Sequence, residues 1–349
     1  MRRVHAPQRD EVAGIDLITL RTRGGNPVTR MSARLARPVR VLRAMRRRGV
    51  ARGDVSVVLL PMAMMTVGNW AVLRLALRCP VVVDASERHD RHQFRRGWLA
   101  PYFVRHRWST FLATRLVHRA TAVSTTLGGY LERHGLDVLV VPPQVDCDEF
   151  AEPRSSSLTG GLRLLYAGTP AARTCSTSSS GDQPTRTAGS GTGAPHHRRR
   201  HPRRRRRAVR PGRLRAGLGV GGGDLPRPGA RDRVLTLLSE SHFSLLVRPT
   251  GGYAANGFPS KVPESLSAGC PVLLNYTSDL ATYVRDGVEG LVLDGNGPDD
   301  VQHGIERALR LRDEDWTAMS RAARERARDS FDHRAWRARV TTFLDPAAP

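Results

Sequence analysis

The sequence predicts an α/β protein of two domains, each a parallel sheet covered on both faces by helices. Three observations carry that prediction. Short uncharged apolar runs of strand length alternate with longer segments of helical spacing across most of the 349 residues. A polar break follows Pro142-Pro143, and the same rhythm restarts at Leu162. A chain of this length is also expected to build two cores rather than enlarge one. The expected divisions are 1–150, a linker at 151–161, a second domain at 162–332, and a last helix and tail at 333–349 that packs back on the first domain.

Taken in order, residues 1–30 are weakly patterned, with one strand expected at Ile15–Leu20. Met31–Arg48 has helical spacing and a basic face, with a kink expected at Pro38. Val55–Leu60 is a buried strand type, followed by a helix to about Arg78. The uncharged run Val55–Leu73 is long enough to raise a membrane span, but Pro61, Gly68 and Asn69 divide it into strand and helix. Pro80–Asp84 is a second strand ending in an acidic residue, and a long helix runs from about Trp98 to Arg119. The strand Thr121–Ser124, a helix at Thr125–His134 and a strand at Val138–Val141 complete the first half. Continuous apolar strands of this kind belong to sheets buried on both faces.

In the second half, Leu162–Gly168 opens with a strand and Phe243–Val247 supplies another. A short helix at Ser260–Ala268, a strand from Val272, and helices at Asp299–Leu311, Trp316–Arg328 and His333–Leu344 follow. Between them lies a segment of different character. Net charge over the whole chain is +24; residues 173–233 hold 16 arginines and 3 aspartates, or +13, leaving +11 elsewhere. That segment has no Lys, Glu, Asn, Ile, Met, Phe, Tyr or Trp, so it cannot bury enough apolar surface to offset its ordering entropy and is expected to be disordered. It reads either as a basic arm for nucleic acid or an anionic membrane, or as a GC-rich gene translated out of frame. The second is expected, because no aromatic side chain interleaves the arginines as a stacking site requires. A sheet built without this stretch is expected to have a gap and exposed edges.

The four cysteines, Cys79, Cys147, Cys175 and Cys270, have no metal-ligand spacing and read as reduced thiols of a cytoplasmic protein. Met1-Arg2-Arg3 leads into a polar segment without the apolar core of a signal peptide.

The chemistry concentrates in Ala255–Glu264 and the following Ser265–Val272. Lys261 and Glu264 are three apart and share one face of a helix's first turn. Unpaired N–H groups at a helix start favour anions, and a lysine there adds charge for a phosphate. A glutamate one turn in can accept hydrogen bonds from ribose or sugar hydroxyls. Lys261 is the sole lysine among 56 basic residues.

These residues, with Leu164–Gly168, Phe243–Pro249, Gly257–Lys261, Ala268–Val272 and Ser278–Leu291, resemble the retaining glycosyltransferases of family 4, which have the two-domain GT-B fold. Val123-Ser124 and Val141–Asp146 resemble the end of that family's acceptor domain. The resemblance implies two Rossmann-like domains facing a cleft, the first on the acceptor side and the second holding a nucleotide-sugar donor. It implies transfer of a hexose to a glycan, lipid-linked or small-molecule acceptor with retained configuration; no metal or other cofactor is expected, because no Asp-x-Asp pair appears in a donor-binding context. By resemblance, Glu264 meets the ribose, Lys261 the diphosphate, and Gly257 and Phe258 offer backbone N–H groups to the donor sugar. Ser278 and Leu280 fall in its donor-binding segment. The family's first acidic position is Asn256 here, an amide that keeps hydrogen bonding but not charge. Gly168 opens the loop in which the family carries an Arg and a Lys; Arg173 can stand for one, and the second is absent.

Arg248, at a strand end, fits a phosphate contact or a cap on the sheet. Asp84, Glu87 and His89 follow a strand end on the acceptor side, where a polar residue contacting sugar or acceptor is sought, although loop residues of these types are usually just solvated. Trp98, Tyr102, Phe103 and Trp108, among Arg105 and Arg107, suit a membrane-surface face for a lipid-linked acceptor, but core packing of an ordinary helix is the expectation. Ser124 receives no role. The expected function is a glycosyltransferase, peripheral to a membrane at most and inactive if the donor domain is damaged. A basic nucleic-acid-binding protein and a non-catalytic sugar-nucleotide-binding remnant are the alternatives, nucleic acid being the weaker partner.

Overall fold

Apolar runs that alternate with helices close into two parallel sheets in the computed structural model. It describes residues 9–12, 15–18, 57–62, 65–78, 80–94, 97–151, 157–158, 160–166, 214–215 and 230–345, with a few single positions between 39 and 49. Most of the expected helix at Met31–Arg48, of which the few described positions are helical, the positions Gly168 and Arg173, and nearly all of 173–233 lie outside the described residues.

A small antiparallel pair, β1 (Arg9–Val12) and β2 (Ile15–Ile18), comes first. The first sheet then uses β3 (Val58–Pro61), β4 (Val81–Ala85), β5 (Arg119–Ala122) and β6 (Asp137–Val140), side by side in that order and all parallel. Its connections are α1 (Val67–Leu77), α2 (Pro101–Leu116) and α3 (Thr125–Glu132). Thr66 caps α1 by accepting from the Asn69 N–H, so the run Val55–Leu73 is cut into strand and helix as expected. No described helix is long and apolar enough to cross a membrane. The long helix starts at Pro101 because proline suits a first helical position, where no N–H partner is needed. The strand expected at Thr121–Ser124 lies two residues earlier, since Ser124 is used to cap α3.

The second sheet has the order β11-β10-β9-β7-β8, all parallel, from β7 (Leu162–Leu165), β8 (Leu214–Arg215), β9 (Phe243–Leu246), β10 (Val272–Leu274) and β11 (Gly290–Val292). Its helices are α4 (Ala230–Glu240), α5 (Tyr253–Asn256), α6 (Lys261–Ser267), α7 (Leu280–Tyr283), α8 (Pro298–Ala308), α9 (Asp313–Ser330) and α10 (His333–Leu344). Among the described strands the sheet runs without the expected gap. β7 pairs directly with β9, and Leu214–Arg215, from within the arginine-rich segment, pairs with β7 on its outer side.

Period-two alternation divides the core of the second domain. Val272 and Leu274 pack with Val262, Leu266 and Ala327 on one face. Leu273 packs with Phe243, Leu291 and Trp316 on the other. Gly304 permits that second layer, because a Cβ there would meet Leu293 and Leu273 side chains. Trp316 is fully enclosed and donates its indole N–H to the His242 carbonyl. The first domain has a separate core, including Met65, Val83, Ala122, Leu127 and Leu131.

The chain passes between the domains twice, and the two crossings are bonded together. Val145 donates to the Phe331 carbonyl, His333 donates to the Val145 carbonyl, and the Asp332 carboxylate accepts from the Cys147 N–H. Beyond that point α10 runs onto the first sheet, where Arg119 donates to the Phe343 and Asp345 carbonyls at the helix end.

The aromatic residues around α2 do not follow the core expectation. Phe103 is buried, but Trp98, Tyr102 and Trp108 are exposed. The reason is register: α2 lays Phe103, His106, Thr110 and Ala113 inward, which turns Val104, Trp108 and Phe111 to solvent.

Candidate functional site

The carboxyl ends of both sheets face one another, which is where ligands of open α/β sheets bind. In the second domain the ends of β9 and β10 build a small polar nest. The Arg248 N–H donates to Asn275 Oδ1 at 2.8 Å, and Asn275 Nδ2 donates back to the Arg248 carbonyl at 2.9 Å. Asn296 adds a third bond to that carbonyl. With its backbone held on both sides, Arg248 turns its guanidinium toward Thr277 Oγ1 (3.3 Å) and over the Tyr253 ring. Only 9% of the residue is exposed. Burial pulls its pKa below the usual guanidinium value, against smaller opposing pulls from Tyr253 and from Glu87 of the other domain. No carboxylate hydrogen-bonds it among the described residues. A buried cation without a bonded anion is a costly arrangement unless something supplies one.

Ser278 adjoins it in an unusual state. Its φ is 53°, in the left-handed region, and its hydroxyl is shut from water without a hydrogen-bond partner among the described residues. Both features cost free energy and both cluster at functional sites. Leu280 is different: its side chain is wholly inside the core and its N–H goes to the Thr277 carbonyl, so no side-chain contact with a ligand is open to it.

The stretch around Lys261 follows from one short helix and the turn before it. Val262, Pro263 and Leu266 of α6 are buried, while Lys261 and Glu264 lie half-buried along the side left over. The predicted shared face is therefore present, although Ser260 is already in helical conformation without a side-chain cap. Phe258 is a core side chain, packed edge-on against Tyr283 and tilted on Phe331, so only its backbone is left for a ligand. The Gly257 N–H is not available as expected, since it caps α5 by donating to the Tyr253 carbonyl at 3.0 Å. Asn256 is likewise engaged: its side-chain Nδ2 donates back to the Gly252 carbonyl at 2.8 Å.

The Asn256 carbonyl reaches the other domain. Ser124 donates its hydroxyl to it at 2.8 Å, and the same hydroxyl accepts from the Leu127 N–H at the start of α3. Beside it, the Asp279 carboxylate takes both the N–H and the hydroxyl of Thr125 at 2.7 Å each. Asp279 thus sits on the positive end of a helix in the opposite domain. A Cβ on Gly257 would come to 3.8 Å from the Ser86 carbonyl, and one on Gly252 (φ 63°) to 3.8 Å from the Asp90 side chain. The cleft is closed over this end.

On the first domain, Asp84 is taken up within the sheet, accepting from the Thr121 hydroxyl at 2.8 Å. Glu87 and His89 form a pair at 3.1 Å, the glutamate side chain 66% exposed and the histidine 15%. Gln93 Oε1 accepts from the Asp90 N–H, which fixes that amide, so His89 Nδ1 must donate to it at 3.0 Å. His89 Nε2 then faces the Glu87 carboxylate. Its hydrogen bond to His89 holds the Glu87 carboxyl below its ordinary pKa, against the opposing effect of burial. Behind them His106 accepts from the His89 N–H through Nε2, and its buried Nδ1 has no partner among the described residues. Burial lowers the His106 pKa to about 4, so it is neutral.

The structure therefore joins Arg248 through Tyr253 to the short helix that ends at Asn256 and Gly257, sets Ser278 next to its partner Thr277, keeps Lys261 and Glu264 on one face of α6, and brings Glu87 with His89 near Arg248 from the other domain. Sequence reasoning did not find Ser124, Thr125, Thr277, Asp279 or His106. A polar run directly after a strand, Asn275–Asp279, was the available signal for two of them. Asp146, Asp332 and His333 also approach one another near the crossings. Arg334 pairs with both carboxylates there at 3.0 Å, which makes the cluster an ion-pair network.

Residues 205–345 match a sequence family described as glycosyl transferase-like, beginning inside the arginine-rich segment. HepE of Anabaena, solved in complex with UDP and glucose, superposes with a TM-score of 0.57 at 11% identity, over 89% of this chain and 83% of that one. Sucrose-phosphate synthase of Thermosynechococcus elongatus superposes at 0.56 with 13% identity, over 94% and 82%. A glycosyltransferase of Rickettsia africae does so at 0.53 with 10% identity, over 93% and 83%. No curated protein matches by sequence. At these identities the likeness is one of fold, and the fold is GT-B: two parallel-sheet α/β domains with their carboxyl ends opposed.

Proposed function

We propose that the chain is a glycosyltransferase that takes a sugar from a nucleoside diphosphate sugar and passes it, with retained configuration, to an acceptor held by the first domain. The observation that carries this reading is Arg248, a buried guanidinium with no bonded carboxylate among the described residues, beside Ser278, whose buried hydroxyl has no partner among them either. A diphosphate supplies the negative oxygens both of them lack. On this reading Lys261 adds charge for the diphosphate and Glu264, on the same face of α6, takes the ribose. As the bond from the anomeric carbon to the diphosphate breaks, negative charge grows on the leaving oxygen. Fixed cations in a water-poor site stabilise that charge without reorganising, and need no metal to do so. Glu87 carries the exposed acceptor-side oxygen, with His89 holding it ionised. UDP, the nucleotide bound by Anabaena HepE, is the first ligand to try.

The test is calorimetric titration of the full chain with UDP and UDP-glucose, followed by a search for transfer or hydrolysis. Arg248→Ala is expected to weaken UDP binding by about a hundredfold, as for loss of charge-assisted hydrogen bonds to phosphate. Binding unchanged in that variant sinks the reading. A second reading, a sugar-nucleotide binder without turnover, is favoured by the engaged Asn256 amide and Gly257 N–H. It predicts UDP binding that depends on Arg248 with no product from any sugar nucleotide.

A further inference from the structure

We propose that α2 and the turn before it form a face that seats this protein on an anionic lipid bilayer. The face is built of large side chains turned away from the core. Trp98, Leu99, Val104, Trp108 and Phe111 are between 47% and 81% exposed. Val104, Trp108 and Phe111 follow one another at helical spacing, and the Trp108 and Phe111 rings stack at 5.5 Å. The helix is already packed by its inner face, and no core among the described residues takes up the apolar stripe on its outside.

The charge around it says what covers it. Residues 91–131 contain seven arginines and no aspartate or glutamate. Arg91 and Arg107 lie over Trp98, Arg105 over Tyr102, and Arg115 over Phe111, at 5.1–5.9 Å from the ring centres. Cationic heads therefore rim the aromatic stripe. Tryptophan and tyrosine settle at the headgroup level of a bilayer, and each arginine near an anionic surface adds about 1 kcal/mol of attraction. A second copy of the same face would oppose arginine to arginine, which disfavours a dimer.

The face is continuous with the acceptor side of the cleft. Tyr102 and His106 of α2 meet the His89 ring edge-on at 5.1 and 4.7 Å, and His89 holds Glu87. A protein seated this way brings Glu87 close to the membrane, so the acceptor is one carried on a lipid. That last step rests on the proposed transferase function; the seating itself does not.

The experiment is co-sedimentation of the full chain with vesicles of phosphatidylcholine alone and with about 30% phosphatidylglycerol, where anionic lipid sets the surface potential. The double variant Trp108→Ala, Phe111→Ala is compared, because both residues are exposed and their loss leaves the core intact. Expected are binding to the anionic vesicles only, a tryptophan emission shift to the blue, and affinity lower by about tenfold in the variant. Part of the wild-type binding persists at about 0.5 M salt, where the contribution of surface arginines elsewhere is screened. Equal binding by both proteins, abolished by salt and without the emission shift, overturns the proposal in favour of general arginine attraction. Concentration-dependent self-association that the variant loses, with no vesicle insertion, overturns it in favour of a protein partner. UDP titration of the variant is expected to be unchanged, so failure of the donor reading and failure of this one are told apart.

Discussion

Ser278→Ala separates binding from stability in a single atom. In the free protein the hydroxyl is buried without a partner among the described residues, on a backbone at φ 53°. An unsatisfied buried hydroxyl costs about 1–3 kcal/mol, so its deletion is expected to stabilise the free protein by about 1 kcal/mol once the small void is counted. For a domain of this size that is a rise in midpoint of about 2–4 °C, readable by calorimetry. Ser278→Gly should rise at least as far, because left-handed backbone costs an ordinary residue about 1–2 kcal/mol that glycine avoids. With UDP the order reverses: a hydrogen bond to a charged phosphate oxygen is worth about 1.5–3 kcal/mol, so both variants should bind UDP at least about tenfold more weakly. A free variant that melts lower than wild type while binding UDP equally well refutes the reasoning. It would mean that the hydroxyl serves the fold and not a ligand.

Two further outcomes follow from the same geometry. Asp279→Ala removes both bonds from Thr125 at the N-terminus of α3, a loss worth about 0.5–2 kcal/mol. The opposed domains should then part more readily, seen as a larger radius of gyration by solution scattering; an unchanged profile rules out a cross-domain clasp. His106 and His242 are both neutral because burial lowers each pKa to about 4. A folded-state pKa below the unfolded value of about 6.5 means that the stability from burying neutral imidazole is whole above pH 6.5 and is lost as pH falls from there to 4. Each can forfeit up to about 3 kcal/mol, and His106→Gln should flatten the slope of the denaturation midpoint in that window.

Strands were legible because Val81–Val83 and Val272–Leu274 are uncharged aliphatic runs of strand length, the first entirely β-branched. The Lys261–Glu264 face was legible because three-residue spacing on a short helix leaves little choice. The α2 aromatics were not, since apolar periodicity says that one side differs from the other and not which side is inward. His106 went unnoticed for the same reason: a histidine among arginines on a helix gives no sign that it faces the core. Ser278 could be placed only by resemblance, because nothing in a serine announces a left-handed backbone.

The contacts between domains lie beyond any local pattern, and they change what the most informative stretch does. Asn256 and Gly257 hold positions that resemblance assigns to the donor sugar, yet Asn256 Nδ2 and the Gly257 N–H are spent within α5, and the Asn256 carbonyl is spent on Ser124. An acidic side chain at 256 would have no N–H to give Gly252. The amide thus fits a turn whose carbonyl docks on the other domain, and the charge lost at that position is accompanied by a gained contact across the cleft. Charge at the site then rests on Arg248 and Lys261. Both come from elements packed by their neighbours, Arg248 on the Asn275 and Asn296 amides and Lys261 on the helix anchored by Val262 and Leu266. On the proposed transferase reading these two anchored cations face the donor diphosphate, and Glu87, whose carboxyl His89 holds below its ordinary pKa, belongs to the acceptor side.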